Sequence, residues 1–215
     1  MSTAVRLQPD DVLLVIDVQN DFCPGGALPV PEGDQVVPVI NRLAARFPHA
    51  VVTKDWHPKD HVSFAAAHPG AQVHDVIETP YGSQVLWPEH CVQATRGAEL
   101  HPDLDLPGCE LVLHDANDPL LESYSGFFAN DHRTPTGLNG YLRERGLKRL
   151  FLAGLATDFC VQYTALDARR LGFDVFVIED GCRGIDLEGS VEQAWRSMAE
   201  AGVVRIREVD LGVAQ

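Results

Sequence analysis

The stretch Gly154-Leu155-Ala156-Thr157-Asp158-Phe159-Cys160 decides how the rest of the chain is read. Before it, the apolar run 150–153 reads as a buried strand. After it, residues 161–171 carry apolar side chains at helical spacing. Cys160 therefore falls where a strand gives way to a helix, at about the first helical turn. Thr157 or Asp158 is predicted to cap that helix through its side-chain oxygen. Unpaired N–H groups at a helix start carry partial positive charge, which lowers a thiol's pKa and can hold a developing oxyanion. The competing reading is a buried core cysteine, and position by itself does not choose between the two.

Outward from this turn, strand and helix patterns alternate. Residues 12–16 form a continuous apolar run, the mark of a strand buried on both faces. Further strands are predicted at 50–53, 110–114, 150–153, 175–178 and 203–206. Helices are predicted at 34–47, 136–145, 161–171 and 190–201, the last capped by Ser190 with Gln193 completing a capping box. The alternation predicts an α/β fold, a doubly wound six-stranded parallel sheet with helices on both faces. The 215 residues, 45% of them hydrophobic, suit one domain over 1–215. Residues 58–100 show little periodicity and much Gly, Pro and His, and read as an excursion that lids the site.

Asp17 ends the first strand, where open α/β sheets keep their sites; the plainer alternative is an aspartate capping the next loop. Asp55, His57 and His61 crowd the loop after the second strand. Asp and His at i and i+2 put two ligand groups on one side of an extended segment, and His90 adds a further ligand type. An exposed polar loop is the competing reading, and neither HExxH nor CxxC is present. His68, His74 and His101 read as ordinary surface residues. Asp115 ends the third strand, so three strand ends offer reactive groups: Asp17, Asp115 and Cys160.

The formal net charge of −14 argues against nucleic acid or anionic membrane as partners. Five scattered cysteines, an odd number, argue for reduced thiols. No apolar run reaches membrane-spanning length and no leader pattern opens the chain, so a cytoplasmic protein is expected.

Five segments now combine: 15–22 (Val-Ile-Asp-Val-Gln-Asn-Asp-Phe), 55–58 (Asp-Trp-His-Pro), 87–91 (Trp-Pro-Glu-His-Cys), 123–127 (Ser-Tyr-Ser-Gly-Phe) and 154–160. In this order they resemble the nicotinamidases (pyrazinamidases) of the isochorismatase-like cysteine hydrolase superfamily, over nearly the whole chain. The resemblance implies hydrolysis of nicotinamide to nicotinate and ammonia, in NAD salvage, through a Cys thioester. It implies an Asp–Lys–Cys triad with Asp17 as base and Cys160 as nucleophile. It implies a cis Leu155–Ala156 peptide and an oxyanion hole of the Ala156 and Cys160 N–H groups. Asp55, His57 and His90 match metal ligands, and His61 matches a fourth ligand in some members. The implied cofactor is one divalent ion; zinc fits best, and iron or manganese also fits mixed N/O ligands. Phe22, Trp87, Tyr124 and Leu155 match substrate-binding positions. The expected partner is small-molecule nicotinamide, and a homo-oligomer is expected.

One position departs. Where family members carry Lys-Gly-Thr-Asn-Pro, this chain has Asp115-Ala116-Asn117-Asp118-Pro119. The triad lysine is an aspartate, and Lys54 and Lys148 lie outside the motif. A cation beside Cys160 favours the thiolate, whereas an anion disfavours it and repels Asp17. The pattern predicts an impaired nicotinamidase: a divergent natural member or, the favoured reading because every other site residue is intact, a deliberately inactivated one. The rivals are another amidase or isochorismatase-type hydrolase, which generally lack the metal ligands, and a catalytically dead ligand-binding homologue.

Overall fold

The computed structural model describes residues 5–212. In chain order the elements are β1 (Asp11–Ile16), α1 (Val36–Ala44), β2 (His49–Asp55), β3 (Val76–Thr79), β4 (Gly82–Val85) and β5 (Cys109–Asp115). There follow α2 (Leu138–Glu144), β6 (Arg149–Leu155), α3 (Gln162–Arg170), β7 (Asp174–Arg183), α4 (Ser190–Glu200) and β8 (Val204–Ile206). Six strands form one parallel sheet in the order β5-β2-β1-β6-β7-β8. Among the described residues, no helix is long and apolar enough to cross a membrane.

The side-chain alternation of the central strands explains the layers. Leu13 and Val15 face one side, where Val36, Val37, Ile40 and Leu43 of α1 cover them. Val12, Leu14 and Ile16 face the other, against Leu138 and Leu142 of α2, Ala165 and Ala168 of α3, and Ala194 and Met198 of α4. A strand buried on both faces has no reason to alternate in polarity, which is why residues 12–16 are uniformly apolar. β5 lies at an edge and does alternate between exposed and half-buried positions, with Val112 50% exposed.

From β1 the chain winds outward in one direction through β2 to β5, then in the other through β6, β7 and β8. The switch point lies between β1 and β6, where the carboxyl ends of an open sheet form a crevice. Those two strands approach closely there. Gly154 pairs with Ile16, has φ +133°, and a Cβ on it would fall 2.1 Å from the Ile16 carbonyl oxygen. Gly154→Ala is therefore expected to destabilise the fold by roughly 2–4 kcal/mol. Urea denaturation checks this, and a midpoint equal to the parent's would refute the close approach.

Three local expectations need correction. Residues 157–161 form a π-helical turn, and neither Thr157 nor Asp158 caps α3 through its side chain. Asp158 instead accepts hydrogen bonds from residues 185, 186 and 190, far along the chain. Ser190 does not cap α4, whose start is preceded by Gly189 in the left-handed region; the Ser190 hydroxyl goes to Asp158. The excursion at 58–100 is not structureless. It contains the antiparallel hairpin β3–β4, and backbone bonds join Ala65 to Trp87 (2.8 Å), His57 to Cys91 (3.1 Å) and Asn20 to Glu99 (2.9 Å). These partners lie far apart in sequence, so no local periodicity announces them.

Candidate active site and metal centre

The carboxyl ends of β2, β1 and β6 bring the candidate groups together. At the end of β2, Asp55, His57 and His90 each offer a ligand atom within 4.8 Å of the others, and all three are buried. The Gln19 side chain holds the Asp55 backbone, accepting from its N–H (2.9 Å) and donating to its carbonyl (2.8 Å). His57 Nε2–H donates to Glu122 (3.1 Å), and His90 Nδ1–H donates to the Pro88 carbonyl (2.8 Å). Each bond fixes a ring and turns its other nitrogen inward, as in outer-shell support of metal ligands. Asp55 Oδ1 and His57 Nδ1 are buried without a hydrogen-bond partner. Buried polar atoms are rarely left so, and a divalent ion on Asp55, His57 and His90 would satisfy both.

His61 stands apart from that trio. It lies beside His57 and Glu122, and its nitrogens already engage the Ser63 hydroxyl (2.8 Å) and the Asp118 carbonyl (2.9 Å). Burial alone would raise Glu122, but the His57 ring holds its carboxyl well below the usual range. Burial opposes charge on His57, yet Glu122 and Asp55 raise it to about 9. Glu122 belongs to the site although the sequence reading passed over it. It directly precedes Ser123-Tyr124, and a carboxylate there was the available signal.

Asp17 follows β1 in the left-handed region (φ 47°), a conformation aspartate tolerates. Thr53 donates to its Oδ1 at 2.6 Å. Asp17, Asp55 and Cys160 present atoms within 4.8 Å of one another, which puts the thiol beside the Asp17 carboxyl. Burial, then the Asp55 charge, pushes Asp17 up to about 8. The helix start by itself predicts a lowered Cys160 pKa, whereas the anion at position 115 is expected to disfavour the thiolate, and the shift runs in the second direction. Burial, followed by Asp17, Asp55 and Asp115, raises the thiol well above its ordinary value. A helix-start dipole of about half a charge does not compensate three buried carboxylates.

Asp115, last residue of β5, pairs in register with Asp55. It is 5% exposed, and its Oδ1 has no partner. Burial, then Asp17 and Asp55, raises its carboxyl well above the usual range.

Over these groups lies a narrow pocket lined by Phe22, Leu28, Trp87, Tyr124, Phe159, Ala156, Cys160 and Ile185. Asp55, His90 and Glu122 also line it. The Tyr124 hydroxyl accepts from Trp87 Nε1 and Gln84 Nε2, both at 2.8 Å. Phe159 meets Trp87 edge-on at 5.0 Å. Leu155 does not line the pocket; its side chain packs within the core beside Gly33. The Leu155–Ala156 peptide is cis. A roomier surface hollow flanks Cys23, Arg96 and His101 but holds none of the converging groups.

A doubly wound parallel sheet whose switch point joins a cysteine to an aspartate beside a His/Asp ligand trio has the architecture of a cysteine hydrolase. A family model described as the Isochorismatase domain matches residues 11–208, and the chain belongs to that family. It is 51% identical over 194 residues to a nicotinamidase of Acinetobacter baylyi, covering 90% of this chain and 91% of that one. A solved nicotinamidase/pyrazinamidase of Acinetobacter baumanii superposes with a TM-score of 0.93 at 53% identity, over 94% of this chain and 98% of that one. A pyrazinamidase of Pyrococcus horikoshii, solved in complex with zinc, superposes with a TM-score of 0.76 at 37% identity, over 93% of this chain and 99% of that one.

Proposed function

We propose that the chain is a nicotinamidase by construction, hydrolysing nicotinamide to nicotinate and ammonia, with its turnover impaired by Asp115. The observation that carries this is the convergence on one aromatic pocket of the Asp17–Cys160 pair and the Asp55/His57/His90 trio. The aromatic lining of Phe22, Trp87, Tyr124 and Phe159 suits a small aromatic ring. The ligand trio distinguishes this reading from an isochorismatase-type hydrolase.

In the proposed reaction Asp17 accepts the Cys160 proton and the sulfur attacks the amide carbon. The resulting oxyanion is held by the Ala156 and Cys160 N–H groups. As the C–N bond breaks, Asp17 returns the proton to the departing ammonia. Water then attacks the thioester carbon, releasing nicotinate and the free thiol. Asp55, His57 and His90 would hold a divalent ion, zinc by donor chemistry, which supplies a Lewis-acidic anchor for the ring nitrogen and its water. Glu122 and the Pro88 carbonyl keep the two imidazoles aimed.

Ammonia release from nicotinamide, measured beside a nicotinamide-binding titration, tests the proposal. Binding without any turnover, even after Asp115 is replaced by lysine, would favour the catalytically dead binder. The nucleophile assignment has its own check. In an Asp115→Lys chain, limited alkylation followed by peptide mass mapping is expected to label Cys160 first. Burial raises Cys23 to about 11 and Cys182 to about 12, so both stay protonated. Preferential labelling of Cys23 or Cys109 would count against Cys160.

A further inference from the structure

We propose that Asp158 is a specificity-determining positioning residue: its buried carboxylate clamps the segment carrying Ile185, and so sets the width of the ring pocket. This rests on the nicotinamidase reading and deepens it. Asp158 is 4% exposed and lies two residues before Cys160 on the same π-helical turn. Its Oδ1 accepts from the Ile185 N–H at 3.0 Å. Its Oδ2 accepts from the Asp186 N–H at 2.8 Å and from the Ser190 hydroxyl at 2.5 Å. One carboxylate thus satisfies three donors spread over six residues, joining the nucleophile's turn to the first residue of α4.

The clamped segment follows an unusual backbone path. Asp186 and Glu188 sit at φ 61° and 52°, in the left-handed region that disfavours side chains, and residues 187–189 bury none of theirs. Gly184 leads into the segment where a Cβ would lie 3.0 Å from Asp158 Oδ1 and 2.2 Å from Val191 Cγ2. The chain therefore passes close to both Val191 and the carboxylate at this point. Ile185, at the clamped end, lines the pocket beside Phe22, Leu28 and Ala156. Charge-assisted bonds to backbone N–H groups are the strong kind, and removing the acceptor leaves buried donors unmatched. The part of the lining formed by Ile185 is consequently referenced to Cys160 rather than free to drift. A ring seated against Ile185 is held at a set distance from the sulfur.

Binding to the full, zinc-loaded chain tests this without needing turnover. Dissociation constants for nicotinamide and its four ring-methylated isomers would be measured by calorimetry on the parent, Asp158→Asn, Ser190→Ala and Ile185→Ala chains. The parent is expected to reject the worst isomer by roughly tenfold or more, the discrimination one misplaced methyl group can give. Asp158→Asn keeps the shape but presents N–H groups to donors; Ile185→Ala removes the wall itself. Both should cut that discrimination by about tenfold while weakening nicotinamide itself less, with Ser190→Ala changing it in the same direction by less. A merely structural role would weaken all five ligands in parallel. If Asp158→Asn fails to fold by circular dichroism, Ser190→Ala and Ile185→Ala decide. Unchanged discrimination in Asp158→Asn or Ile185→Ala, or a parallel loss for all ligands, overturns the assignment. A parent that does not bind nicotinamide overturns the functional reading and this one with it; a parent that binds and discriminates leaves only Asp158 in question.

Discussion

Asp115→Lys is expected to raise ammonia release from nicotinamide by on the order of 10² to 10⁴, the worth of a positioned charged group, and a full charge reversal can exceed that. The reason is electrostatic. The largest charges acting on Cys160 are the carboxylates of Asp17, Asp55 and Asp115, and together with burial they hold its proton in place. Asp17, the proposed base, is itself pushed to about 8 by burial and Asp55, so near neutral pH it holds a proton when it should accept one. A cation at the end of β5 replaces one of the anions that raise Cys160 and removes the mutual repulsion that raises Asp115 beside Asp17. The measurement compares the parent, Asp115→Asn and Asp115→Lys chains at matched zinc content. Asn removes the anion without supplying a cation and should fall between the two. Nicotinamide affinity should change much less, because Asp115 does not line the ring pocket. A parent that turns over as fast as Asp115→Lys would remove position 115 from the triad.

The second large effect concerns the metal. The chain is expected to bind close to one zinc ion, and His57→Ala to lose it, with affinity falling more than about a hundredfold because a direct ligand is removed rather than an outer partner. Glu122→Ala, which frees the His57 ring, should cost about 10- to 100-fold. The pH dependence has a definite sign. His57 holds its proton up to about 9, and Nδ1 must be free to ligate. Apparent zinc affinity should therefore rise by about tenfold per pH unit below that value, where one proton is displaced per ion. Competition with a chromophoric chelator at several pH values reads both the constant and the slope. A flat profile, or full stoichiometry in His57→Ala, would place the ion elsewhere.

The sequence was most legible where chemistry and local pattern coincide. The uniform apolar runs of β1 and β6 announced strands buried on both faces, and their order along the chain led to the doubly wound sheet. Strand ends locate a site in such a sheet, so Asp17, Asp115 and Cys160 could be singled out before any coordinates. Ligand type pointed to Asp55, His57, His61 and His90, the family resemblance selected Asp55, His57 and His90, and these three share one buried group. Their wider neighbourhood was less visible. Glu122 and Phe159 sit inside or beside the quoted segments, yet nothing local says that one will meet His57 and the other Trp87.

The sequence by itself determined the residue types at each strand end, the alternation that winds the sheet, and the replacement of a lysine by Asp115. These are properties of short segments, set by side-chain chemistry and periodicity. Only the tertiary structure decided which charges share a dielectric. Cys160 looked like an activated thiol because a helix start is a local feature; its carboxylate neighbours arrive from β1, β2 and β5, and their burial together reverses the expected shift. Asp158 looked like a cap for the same reason, but its three donors come from residues 185–190. Leu155, next to the site in sequence, turns into the core because alternate residues along a strand face opposite sides. Propensities act within a few residues, whereas burial, field and hydrogen-bond partners are set by whatever segment folds alongside.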